Sequence, residues 1–252
     1  MTSAGARPSK WFPRAPLAEA TARVFCIPYS GCGASMYRRW PESRDGMDFC
    51  RLQPPGRENR FREPMFATYQ EMAAAIADVV EPHLDVPYAF FGHCGSALAA
   101  YETTAELERR GLPTARSLFI SSQVAPQDGP AGRWLTMSRP ELNEELSKLT
   151  IASGGTPVPE LSGLYLDVLE EDIAVNKRYV MPEPQRLKAP ITTIGWLEDI
   201  EVDHRLMGGW TACGSTRAVL LEGPHQRFTE GPPELFDVFA EDLTAGHGAR
   251  VT

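Results

Sequence analysis

The chain has 252 residues, 42% of them apolar and 23% charged, with a formal net charge of −8, proportions that suit a single soluble globular domain. No apolar run reaches the roughly 18 to 20 residues of a membrane span, and the acidic balance argues against nucleic acid as a partner. Five cysteines (Cys26, Cys32, Cys50, Cys94, Cys213) form no CxxC pair, which argues against both a disulfide framework and a zinc site.

The opening stretch MTSAGARPSKWFPRAP carries positive charge and prolines but no apolar h-region, so it is not a secretory leader. A cytoplasmic location is expected, and the first dozen residues read as a loosely held arm. RVFCIPY, Arg23 to Tyr29, is the first strand signal. It runs into the glycine-rich loop Ser30 to Ser35, then MYRRWP, and DFCRLQPPG forms a second extended stretch closed by a Pro-Pro-Gly turn. Phe66 to Leu84 reads as an amphipathic helix ended by Pro82, with Val80 in its last ordered turn. YAFFG is a buried strand, SALAAYETTAELERRG a helix closed by Gly111, and SLFISS the next buried strand. From about 127 to 188 the rhythm changes to two helices, SRPELNEELSKL and ELSGLYLDVLEEDIAVNKRY, read as a helical insertion more mobile than the sheet. Strands resume at APITTIGW and TRAVLLEG, and PPELFDVFAEDL is a closing helix. The alternation predicts an α/β fold, one domain over 1–252, with a mostly parallel sheet and helices on both faces.

FFGHCGSALAAYE, Phe90 to Glu102, reads like the strand–turn–helix elbow that presents a nucleophile in an α/β-hydrolase, with Cys94 at its tip. Small residues are needed two positions to either side of a strained tip, and Gly92 and Ser96 meet that need. Ser96 itself is a poorer nucleophile, because that register crowds Leu98 and draws the hydroxyl into the helix. A base and an orienting acid should follow in the order nucleophile, acid, histidine. His225 follows the last strand in EGPHQRF, and Asp199 follows the preceding one in GWLEDIEVDH, with Glu198, Glu201 and Asp203 as competing acids. Gly95 at the helix N-terminus and Ser30 in PYSGCG offer two backbone N–H groups to an oxyanion. His93, beside the nucleophile, is expected in a supporting position. Arg38, Arg39, Arg57, Arg60 and Arg62 concentrate positive charge in two nearby loops, which suits an acidic protein partner.

These motifs, taken together from roughly Trp11 to Leu243, resemble the type II thioesterases of polyketide and non-ribosomal peptide biosynthesis. IPYSGCGASMYRRW stands for the family's FPHAGGSASFYRPW, QPPGRENR for QYPGREDR, and FGHCGSALAAYE for FGHSMGALVAFE. Asp199, Val202 and Trp210 stand for its DxxV with a later tryptophan, and Gly223 and His225 for its Gly-x-His. The resemblance implies an α/β-hydrolase core with a helical lid, and a Cys94–His225–Asp199 triad with Ser30 and Gly95 as oxyanion donors. It puts Tyr29 and His93 against the substrate. The implied activity is release of acyl groups held as phosphopantetheine thioesters on an acyl or peptidyl carrier protein, by a monomer that needs no metal or cofactor of its own and no membrane. Four departures stand out: cysteine for serine at 94, Gly95-Ser96 for Met-Gly, Tyr29 for histidine, and Gly195 one residue further from Asp199 than usual, which keeps Glu198 a rival for the acid. The cysteine widens the choice. Attack by a thiol exchanges one thioester for another, so the acyl group stays activated and an acyltransferase or cyclase with an amine, hydroxyl or thiol acceptor becomes an alternative to hydrolysis. A silent synthase-docking protein is the third possibility.

Overall fold

The computed structural model describes residues 9–244. Six strands run parallel: β1 (Ala22–Cys26), β3 (Met47–Arg51), β4 (Tyr88–His93), β5 (Ser117–Ser121), β6 (Ile191–Trp196) and β7 (Thr216–Leu221). The two-residue β2 (Ser43–Arg44), which the sequence pattern does not reveal, pairs antiparallel with β3 at one edge. The order across the sheet is β2-β3-β1-β4-β5-β6-β7. Every residue of β1, β4, β5 and β6 is buried. Such strands read as continuous apolar runs because both faces of a parallel sheet are covered.

The pleat divides the core in two. Phe25, Phe90, Leu118 and Ile120 face α1 (Tyr69–Val80) and α2 (Gly95–Arg109), while Val24, Phe49, Phe91 and Phe119 face α5 (Pro233–Thr244). α1 starts where Thr68 accepts a hydrogen bond from the Glu71 N–H at 3.1 Å, and its last turn tightens to a 3-10 turn over Glu81–His83 around Pro82. Gly111 follows α2 with φ +70°, the left-handed conformation that stops a helix. The expected loose arm is not loose at Trp11 and Phe12, which are buried. Trp11 stacks on Phe66 and lies under the Arg60 guanidinium, and Phe12 packs against Phe25.

Between β5 and β6 lie α3 (Arg139–Ala152), begun by a Ser138/Glu141 capping box, and α4 (Ser162–Arg178). α4 spans both cores, with Leu169 and Ile173 in one and Val175 in the other. Its Asp172 takes two hydrogen bonds from Arg57, at 2.7 and 3.0 Å, and one from the Gly31 N–H at 2.8 Å. The middle of α4 is therefore tied to the loop after β1, which sets it apart from an insertion mobile throughout. Among the described residues, no helix is long and apolar enough to cross a membrane.

Phe239 of α5 is fully buried, its ring centroid 4.5 Å from that of Phe119 and 5.4 Å from that of Phe91. Phe239→Ala should cost about 3–5 kcal/mol, read as a shift of the denaturation midpoint at constant slope; a cost below about 1 kcal/mol would contradict this packing.

Candidate active site

β4 ends and α2 begins at Cys94, whose φ of +53° and ψ of −129° put a non-glycine residue in a strained conformation. The strain is held by its surroundings. A Cβ on Gly92 would lie 2.4 Å from the Ser96 carbonyl oxygen and 2.6 Å from the Ala97 Cα, so glycine is required there. Cys94 N–H donates to the Ser121 carbonyl at 2.8 Å. Ser96 Oγ accepts from the His93 N–H and donates to the His93 carbonyl, both at 3.0 Å, so its hydroxyl serves the turn and not the site.

His225 opens the 3-10 turn after β7 and is buried. Its Nδ1 is 2.9 Å from Asp199 Oδ2. Asp199 follows β6 and is fully engaged: Oδ2 also accepts from Ser122 Oγ at 2.6 Å, and Oδ1 accepts the N–H groups of Glu201 and Val202 at 2.7 and 3.0 Å. None of the other acids pairs with His225. Glu198 is exposed, Asp203 pairs with Arg205, and Glu201 pairs with Arg133. Ser122, which itself adopts φ +47°, is a member of the acid's hydrogen-bond set that sequence reasoning missed; a serine at a strand end carries no signal of its own.

Burial alone would push the His225 imidazole down, but hydrogen bonds and charge from Asp199 and Cys94 overcome it and lift its pKa to about 9. Burial pushes the Asp199 carboxyl up, and its hydrogen bonds to His225, Ser122 and Val202 outweigh that and hold it below the usual carboxylate range. Tyr29, 2% exposed, puts its hydroxyl 3.4 Å from His225 Nε2 and lines the same small cavity as Cys94. Burial, then the negative charge of Cys94 and Glu201, drive the Tyr29 phenol well above its usual range, so it remains an O–H donor.

Tyr29, Ser30 and Cys94 line one small cavity, ≈ 20 Å³, with Trp134, Asn176 and Glu201. That space is enough for about one water. Ser30 and Gly95 have N–H groups without a protein acceptor among the described residues, and Gly95 is the first residue of α2. A Cβ on Gly95 would lie 2.9 Å from Ser30 Oγ and 3.1 Å from both Asn176 Nδ2 and Tyr69 Oη. A larger residue here, such as the methionine of the resembling pattern, would require these polar side chains to shift. His93 does not reach the cavity. It is fully buried, with Nδ1 2.8 Å from Ser121 Oγ, its ring stacked on Phe228 at 3.9 Å and 4.3 Å from the ring of His225. It supports the histidine pair from beneath, in place of the expected contact with substrate.

A larger cavity, ≈ 320 Å³, opens beside the first between the Cys32–Arg38 loop and the α3–α4 connection, lined by Gly31, Arg38, Arg57, Leu146 and Val158. The loop arginines divide. Arg57 and Arg60 are buried, paired with Asp172 and Glu63, while Arg38, Arg39 and Arg62 are exposed. Among the described residues no cluster of histidine, cysteine and carboxylate side chains could hold a metal ion.

The Thioesterase domain family matches residues 22–242. Gramicidin S biosynthesis protein GrsT of Aneurinibacillus migulanus is 30% identical over 210 residues, 80% of each chain. RedJ, the thioesterase from the prodiginine biosynthetic pathway in Streptomyces coelicolor, superposes with a TM-score of 0.73 at 32% identity, covering 94% of this chain and 98% of its own. YbtT, a type II thioesterase from the yersiniabactin pathway, superposes with a TM-score of 0.77 over 91% and 97% of the two chains, at 22% identity, a likeness of fold.

A His225 pKa raised from 6.5 to about 9 means that the folded protein holds this proton more tightly than the unfolded chain. Its contribution to stability is full below about pH 6.5 and is lost as pH rises through 9. Imidazole NMR should show His225 protonated at pH 8, with a midpoint that falls in Asp199→Asn, and His225→Gln should lose the decline in unfolding free energy between pH 6.5 and 9. A His225 midpoint at or below 6.5 would overturn the pairing.

Proposed function

The chain belongs to the thioesterase family, and from that premise we propose that it acts in natural-product biosynthesis on acyl groups carried as phosphopantetheine thioesters on carrier proteins, through an acyl-Cys94 intermediate. The observation that carries this reading is a thiol on a strained turn at the N-terminus of α2, near enough to a buried histidine, which Asp199 holds at 2.9 Å, for its charge to help lift that histidine's pKa.

In the first half, Cys94 Sγ bonds to the thioester carbonyl carbon and the oxygen takes up negative charge between the Ser30 and Gly95 N–H groups. The carbon–sulfur bond to the pantetheine arm then breaks, and the His225 imidazolium gives its proton to the departing thiolate. In the second half, neutral His225 takes a proton from water or another acceptor, which attacks the acyl carbon and returns Cys94 as thiolate. The cavity beside Arg38, lined by Gly31 next in sequence to Ser30, is the route we assign to the arm, with Arg38, Arg39 and Arg62 on the side that meets an acidic carrier.

One observation favours transfer over hydrolysis. The Tyr29 hydroxyl stands 3.4 Å from His225 Nε2, within reach of the nitrogen that would activate water. A thioester on Cys94 is also trapped by amines and thiols more readily, relative to water, than an ester on serine.

Cys94→Ala should lower turnover by at least about a thousandfold, with the fold intact, because alanine fits the turn. Intact-protein mass spectrometry should show an acyl adduct on the wild type that this variant lacks; undiminished acyl release by Cys94→Ala would remove the thiol from the mechanism. With a small amine supplied, Cys94→Ser should shift product from transfer toward hydrolysis. A wild type that only hydrolyses, and no change of ratio in the serine variant, would leave plain hydrolysis as the function.

A further inference from the structure

The wall of the small cavity opposite the triad holds a charge that the proposed mechanism does not use. Glu201 lines the cavity with Cys94, and its side chain is 2% exposed. One carboxylate oxygen, Oε1, takes two hydrogen bonds from Arg133, at 2.9 and 2.6 Å. The other, Oε2, is buried and has no hydrogen-bond partner. A buried acceptor left unpaired costs about 1–3 kcal/mol, and more when it is charged, so native proteins keep few of them. Asn176 is 4% exposed and lines the same cavity, and its Oδ1 is a second buried acceptor without a partner.

The surrounding charges close on themselves. Arg133 also reaches Glu145 at 3.3 Å, and Glu145 pairs with Lys148 at 2.7 Å, so two cations and two carboxylates balance. What remains at the cavity that Cys94 also lines is acceptor capacity, one oxygen of Glu201 and one of Asn176 without a hydrogen-bond partner, beside Tyr29, whose phenol already feels the Glu201 charge. Nothing on an unsubstituted alkyl chain can meet it. Alkyl groups have no N–H or O–H donors, and laying a CH₂ on an ionised oxygen would keep that oxygen dry and unpaired.

We propose that Glu201 Oε2, with Asn176 Oδ1, binds an amino group on the acyl chain, so that the group loaded on Cys94 is an aminoacyl group with its nitrogen one or two carbons from the thioester carbonyl. The short distance follows from the cavity: at ≈ 20 Å³ it has room for little more than the atoms next to the carbonyl, and a remote amine would lie outside it. The proposal rests on the carrier-thioester reading above and adds the class of acyl group.

The test uses two isosteric probes, L-alanyl-pantetheine and isobutyryl-pantetheine thioesters, which differ only by ammonium against methyl. The rate of acyl-Cys94 formation is followed by intact-protein mass spectrometry. The wild type should favour alanyl, and Glu201→Gln, which keeps an oxygen for Arg133 but removes the charge, should lower the alanyl-to-isobutyryl ratio about tenfold to a hundredfold. Arg133→Gln breaks the pair to the insertion while leaving the carboxylate, and should keep the preference for alanyl. Equal or faster isobutyryl loading by the wild type would overturn the amine subsite alone. So would a ratio that falls equally in Arg133→Gln, since Glu201 would then act only by holding the insertion. Loading of the wild type by neither probe would overturn the thioester reading and this proposal with it.

Discussion

The backbone at Cys94 is the constraint on which the rest of the site depends. A residue with a Cβ at φ +53° costs about 1–3 kcal/mol, and that energy must come from the packing of β4 and α2 against each other. The contact that makes it possible is also the one that forbids alternatives: Gly92 sits where any side chain would meet the backbone of Ser96 and Ala97. Because the turn is this tight, the thiol stands clear of both elements and the first N–H of α2 points at the same space. The place of the proposed nucleophile, that of the proposed oxyanion donor and the direction of the helix end thus follow from one turn. Central position in the sheet completes it, since β4 lies between β1, which carries Tyr29 and Ser30 on its following loop, and β5, which carries Ser121 and Ser122.

The second layer of the site is polar and is fixed from the far side. Gly95 leaves a space that Ser30, Tyr69 and Asn176 fill with an oxygen, an oxygen and a nitrogen. Asn176 is on α4, and α4 is held by the buried pair of Asp172 with Arg57. Such a pair is weak evidence for stability, because desolvating both charges offsets much of their attraction. Its consequence is positional: it sets where α4 lies along the loop after β1, and hence where Asn176 stands relative to the nucleophile. α3 is tied differently, by Glu145 to Arg133 at 3.3 Å and by Arg139 to Asp167 and Glu170 of α4, so its place depends on α4 and on the segment before it.

Much of this was legible in the sequence, for physical reasons. Strands buried on both faces appear as short apolar runs, and the elbow and the histidine occupy fixed places after particular strands, so Cys94 and His225 stand out by position, while Asp199 is separated from its acidic neighbours only by the family resemblance. What was not legible depends on contacts distant in sequence. Trp11 and Phe12 sit in a proline-rich opening that reads as an arm, yet Phe66 and Phe25 bury them. β2 is two residues long, too short for any alternation. His93 looks like a site residue by adjacency to Cys94, but strand alternation turns its ring away, toward Phe228. Ser122, Asn176 and Glu201 belong to no motif; they matter only because β5, α4 and the loop after β6 converge.

The choice between hydrolysis and transfer reduces to which molecule reaches His225 Nε2 once Cys94 is acylated. A hydrolase with a histidine beside its oxyanion loop has no phenol at that point. Here the Tyr29 hydroxyl stands there already, and it keeps its proton because burial and the negative charges of Cys94 and Glu201 drive its pKa up. To activate water, the site must either move this ring or place water beside it in a cavity of ≈ 20 Å³. The ring is boxed by Trp134 edge-on at 5.3 Å, His93 at 5.7 Å and Phe228 at 6.3 Å between centroids, so movement is costly. An acceptor brought in on its own binding energy displaces what free water, held by two or three hydrogen bonds, does not. On the proposed reading, a cavity with room for about one water favours an acceptor delivered by a partner, and the thiol, by keeping the acyl group activated, would leave time for that partner to arrive.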